Sequence, residues 1–132
     1  MARAQWPLLR ERPIIQIVLT LAQGGQKVVR NLLADTGAGN AKAKFEILLD
    51  ESDCVLCGGL PVQSIVLNGA YTGSFPVYLI PIEIPLLSFA GHFCAVGIAS
   101  PPKGLDGIAG FRLLNRFTYG NFGNPLAFGL EV

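Results

Sequence analysis

The chain has 132 residues, 51% hydrophobic and only 14% charged, with 16 Gly and 9 Pro. That length suits one domain, residues 1–132, with a real but small core, and the balance excludes disorder and long helices in favour of short strands joined by tight turns. Net charge is +1 and the basic residues are scattered, so no electrostatic footprint for nucleic acid exists.

The N-terminal stretch MARAQWPLLRERPII interrupts its apolar residues with charges before an h-region forms, which predicts no secretory signal and an intracellular, cytoplasmic protein. From Pro13, β-branched runs on either side of Gly24-Gly25 predict a β-hairpin that delivers Asp35. The segment from Ala41 to Asp53 is ambiguous: Phe45, Ile47 and Leu49 alternate as in a strand, yet Ala41 to Leu48 also fits a helical turn. A second hairpin follows, VQSIVL and FPVYLIPIEI around the glycine-rich tip Asn68–Ser74. Phe75 to Ala99 is the most apolar stretch, but Pro76, Pro81, Glu83 and Pro85 argue for buried strands and against a membrane span. His92 to Ala99 reads as a strand, Pro101 to Gly104 as a turn, and Phe111, Leu114 and Phe117 fall at helical spacing. A last strand is expected at the C-terminus.

Three cysteines, Cys54, Cys57 and Cys94, cannot all pair within the chain and are expected as free thiols. With His92 they form a possible set of four zinc ligands, although the second spaced pair of most zinc sites is missing. The expectation is a protein that needs no metal and no cofactor, with a zinc-bearing structural domain as an alternative.

Asp35-Thr36-Gly37-Ala38 closes an apolar strand, and three small residues after the acid allow close backbone approach to a ligand. Alone, the triplet also fits a simple turn. About 70 residues later, by the numbering, comes Asp106-Gly107-Ile108-Ala109-Gly110, an apolar pair closed by Gly before a predicted helix. Together these motifs resemble the aspartic peptidases, in which Asp-Thr/Ser-Gly carries the catalytic carboxylate and a hydrophobic-hydrophobic-Gly element lies beneath it. Arg12-Pro13 before an apolar strand resembles the start of retroviral proteases, and the Asn68–Ser74 tip sits where that family carries its flap.

The resemblance implies an all-β fold: a closed retropepsin-like barrel with a flap hairpin and one short C-terminal helix. With only one Asp-Thr-Gly per chain, it implies a homodimer in which the terminal segments Gln5–Leu9 and Leu126–Val132 interlace. Its mechanism uses two Asp35 carboxylates, one per subunit, sharing a proton and activating a water that attacks a peptide carbonyl. Asp35, Thr36 and Gly37 form the implied catalytic loop, Thr36 bonding across the dyad. A peptide or protein substrate would bind in extended form against Ala38, Gly39, Asn40, the tip residues Gly69, Ala70, Tyr71 and Thr72, and Ile108. Val18, Leu33, Ile65 and Ile82 are further core or pocket positions. Ala38 stands where pepsins often carry Ser, which implies work in mildly rather than strongly acidic solution. Gly39 and Phe111 replace the acid and Arg that form a salt bridge in retroviral enzymes. The alternative function is a retropepsin-like peptide-binding or dimerisation module with weak turnover.

Overall fold

The computed structural model describes residues 2–132. Half of the residues lie in strands and a tenth in helices, and six of the strands close into a barrel. Strand β1 (Arg3–Pro7) is followed by the hairpin of β2 (Ile14–Thr20) and β3 (Lys27–Ala34), where Gly24 and Gly25 take φ of 78° and 65°. These are the left-handed values for which glycine is suited.

The ambiguous segment resolves into a loop and then strand β4 (Ile47–Asp50). Ile47 and Leu49 enter the barrel interior while Leu48 joins a second apolar cluster, so both faces of β4 are covered. A continuous apolar run is the signature of such a strand. Helix α1 (Glu51–Leu56) follows directly, its first turn capped by the Asp50 side chain, which accepts from the Ser52 amide. Strands β5 (Pro61–Leu67) and β6 (Gly73–Ile84) form the second hairpin, and β7 (Phe89–Ile98) pairs along β6. The chain ends with β8 (Gly107–Ala109), one turn of helix α2 (Phe111–Leu114), β9 (Thr118–Gly120) and β10 (Ala127–Glu131). The α-helix is therefore shorter than the Phe111–Phe117 spacing predicts, and the amides of Arg116 and Phe117 continue it as turns by donating to the Leu113 and Leu114 carbonyls.

Around the barrel the strand order is β2-β3-β8-β4-β7-β6, and Val18 and Leu19 of β2 close it against Glu83 and Ile82 of β6. Ile15, Ile17, Leu19, Leu32, Ile80 and Ile82 are essentially inaccessible and fill the interior. The predicted pocket-or-core positions Ile82 and Ile108 are buried, whereas Val18, Leu33 and Ile65 are half-buried.

The terminal segments correct an expectation. They pair within one chain, Arg3–Pro7 against Ala127–Glu131, with β9 on the other side of β10. An Arg3–Glu131 ion pair of 2.7 Å closes the outer end. Exchange between subunits is not needed to satisfy these backbones. Among the described residues no helix is long and apolar enough to cross a membrane.

Candidate active site

Strand β8 lies between β3 and β4, parallel to the first and antiparallel to the second. The loop joining β3 to β4 must therefore pass over the end of β8, and that loop begins with Asp35. Ala34 donates to the Pro13 carbonyl and Asp35 to the Ala109 carbonyl, at 2.9 and 3.0 Å. The aspartate thus stands where a fully paired strand stops.

Glycines make this crossing possible. A Cβ on Gly107 would lie 2.2 Å from the Leu48 carbonyl oxygen, and one on Gly110 would lie 2.8 Å from the Ala38 carbonyl oxygen. Asp106 holds the other end of β8, its carboxylate accepting from the Asn31 amide at 2.9 Å. Its backbone also bridges Asn31 and Asp50. Asp106 and Gly107 are thereby accounted for as the means of inserting β8 between its neighbours.

The half-buried Asp35 carboxylate accepts from the Gly37 amide at 2.9 Å, which orients it. Thr36 beside it is exposed. A cavity of about 200 Å³ opens at Asp35, with Gly37, Ala38 and Gly39 along one rim. Phe45, Leu48 and Ile108 make its apolar floor, and Leu67, Asn68, Gly69, Ala70 and Tyr71 cover it from the β5–β6 hairpin. Tyr71 is tied down: its hydroxyl donates to the Ser100 carbonyl at 2.7 Å, and its ring packs on the second apolar cluster. Burial raises its pKa above that of a free tyrosine.

Of the positions singled out from the sequence as catalytic or substrate-binding, Thr36, Asn40 and Thr72 do not line the cavity, nor do the core-or-pocket positions Val18, Leu33, Ile65 and Ile82. The Asn40 side chain accepts from the Lys42 amide, and the Thr72 hydroxyl donates to the Gly69 carbonyl, so both shape their own turns. Phe45, Leu48, Leu67 and Asn68 were not foreseen as cavity residues. Alternation marks Phe45 as one-sided, but nothing local tells which side faces Asp35.

Gly39 and Phe111 indeed offer no ion pair, and other residues brace the loop. Arg112 Nη1 donates to the Ala43 carbonyl at 2.7 Å. The nearly inaccessible Glu46 accepts from the Cys94 amide at 3.0 Å and lies 3.8 Å from Arg116, whose guanidinium covers the Phe93 ring. The Glu46 carbonyl in turn accepts from the Gly110 amide.

The alternative zinc set is not assembled. Cys54 sits in the interior core, and Cys94 packs on the cluster across the barrel wall. Among the described residues no three His, Cys, Asp or Glu side chains converge as metal ligands. Burial pushes the Cys54 thiol up to about 12 and raises Cys57 and Cys94 as well. Burial thus disfavours the thiolate at all three positions. Comparisons with protein-family models, curated proteins and solved structures returned no match.

Proposed function

We propose that the protein is an aspartic endopeptidase of the retroviral type, active as a homodimer with one Asp35 from each subunit. The observation that carries this reading is the position of Asp35, on a loop braced by β8 at the mouth of an apolar cavity roofed by a hairpin tip. The hairpin is the flap of this reading, and an extended peptide lies between it and the Asp35 loop. The exposed Thr36 is available to bond across the two-fold axis.

In the dimer the two carboxylates share one proton, because like charges at hydrogen-bonding distance do not both ionise at neutral pH. The ionised Asp35 takes a proton from water as the water oxygen attacks the peptide carbonyl. The protonated Asp35 donates to the developing oxyanion, and the leaving nitrogen is protonated as the C–N bond breaks. The apolar floor of Phe45, Leu48 and Ile108 excludes bulk water and receives an uncharged side chain next to the scissile bond.

The test is cleavage of a mixed peptide library between about pH 4 and pH 7, with wild type and Asp35→Asn at several protein concentrations. Cleavage that rises faster than linearly with wild-type concentration and vanishes in the variant is the expected result. No cleavage by a folded, dimeric protein would shift the reading to a peptide-binding module.

A further inference from the structure

Of the 10 Lys and Arg residues, four have a carboxylate partner: Arg3 with Glu131, Lys27 with Glu83, Arg30 with Asp53 and Arg116 with Glu46. Among the described residues the other six, Arg10, Arg12, Lys42, Lys44, Lys103 and Arg112, have none. Scattered in sequence, these six come together on segments that adjoin the Asp35 loop. Lys42 and Lys44 belong to that loop, and Arg112 is bonded to it through the Ala43 carbonyl. Arg12 precedes Pro13, whose carbonyl accepts from Ala34, the residue before Asp35. Arg10 and Lys103 gather round Arg12. Arg12 Nη2 donates to the Lys103 carbonyl at 2.7 Å. A Cβ on Gly104 would lie 3.5 Å from Arg10 Nη1 and 3.9 Å from Arg12 Nη2, so the two guanidinium groups converge on one point. Leu9 and Arg12 exchange both backbone hydrogen bonds, which makes Arg10 and Glu11 the centre of a two-residue turn, with φ of 50° and 64°. Asn-Gly is the pair such a turn favours, and Arg-Glu holds it only with backbone strain. Strain and like-charge repulsion therefore meet at one place on the surface, where an anion would relieve the second.

We infer that the peptide taken by the Asp35 site is acidic on either side of an apolar segment, its Asp or Glu side chains held by these six cations. The inference rests on the protease reading and adds the substrate class to it. No basic side chain lines the cavity, and Asp35 is its only carboxylate, so an acidic residue gains nothing inside it. Outside it, guanidinium and ammonium N–H groups without a carboxylate partner stand ready to donate to carboxylates, Arg in a two-pronged fork. The same excess of positive charge draws an acidic chain toward the cleft before contact. A peptide suits this arrangement better than a nucleic acid, because the cations flank an apolar cleft whose mouth carries a carboxylate, which repels a phosphate backbone laid across it.

The test uses two fluorescent peptides with the same apolar centre, one flanked by Glu and one by Gln, at about pH 6, where Glu is ionised. Binding to the Asp35→Asn chain is read by anisotropy, without turnover. The Glu peptide should bind about tenfold tighter than the Gln peptide in about 20 mM salt, and the advantage should shrink to about twofold in about 300 mM salt. In R10Q/K103Q, and separately in K42Q/K44Q, the advantage should fall by about threefold or more. All four side chains are exposed, so folding is retained, which circular dichroism checks. Equal affinity for the two peptides overturns the inference, as does an advantage that both variants keep. An oligothymidylate that binds the same chain more tightly than the Glu peptide overturns it in favour of nucleic acid. Wild type that cleaves neither peptide sinks the protease reading, whereas cleavage of both with equal kcat/KM sinks only the acidic preference.

Discussion

Gly110→Ala isolates the close approach that supports the Asp35 loop. Gly110 has φ −87° and ψ 175°, which alanine adopts freely, so the substitution adds a steric demand without backbone strain. The new Cβ would lie 2.8 Å from the Ala38 carbonyl oxygen and 3.2 Å from that of Glu46. Both are backbone atoms, and both accept hydrogen bonds at 2.9 Å, from the Phe111 and Gly110 amides. Relief of the overlap must therefore stretch one of these bonds and move the loop. Overpacking costs about 1–3 kcal/mol and a weakened hydrogen bond about 0.5–1.5 kcal/mol, a loss of about 1.5–4.5 kcal/mol. Urea unfolding measures it against Gly24→Ala, where no atom lies within 4 Å and only the positive φ is penalised, by about 1–2 kcal/mol. Cleavage per folded molecule should fall in Gly110→Ala and remain unchanged in Gly24→Ala. Stability within about 0.5 kcal/mol of wild type in Gly110→Ala would refute the reasoning.

Tyr71→Phe removes the donor to Ser100 and releases the hairpin tip; a lost bond of about 1 kcal/mol accelerates amide exchange in Asn68–Thr72 roughly fivefold. Unchanged exchange there would show that packing alone holds the tip. The Cys54 thiol, ordinarily near 9, rises to about 12 on folding, so the folded chain keeps a proton that the unfolded chain loses. Its contribution is complete below about pH 9 and lost as pH rises toward about 12, with a slope near 1.4 kcal/mol per pH unit. Denaturation from pH 8.5 upward should show this decline, and about one proton less of it in Cys54→Ala; equal slopes would exclude Cys54 as its source.

Features encoded by short stretches were legible in the sequence. Gly24-Gly25 and the glycine-rich tip place both hairpins, and the apolar run before Asp35 places that residue at a strand end. Helix α1 carries a local signal as well, Asp50 as cap with Glu51 and Asp53 in the first turn, beside an apolar run. That run, Ile47-Leu48-Leu49, has no readable period because both its faces are covered, and so Leu48 could not be assigned to the cavity. Only the tertiary structure decided that β8 enters between β3 and β4, that β2 closes on β6, and that the termini pair within one chain. It also decided that Arg112 and the Glu46–Arg116 pair brace the loop, where Gly39 and Phe111 offer no ion pair. Turn chemistry acts between neighbours and is written in the residues themselves. Strand insertion and bracing arise between residues tens of positions apart, where the choice of partner depends on how the whole barrel closes.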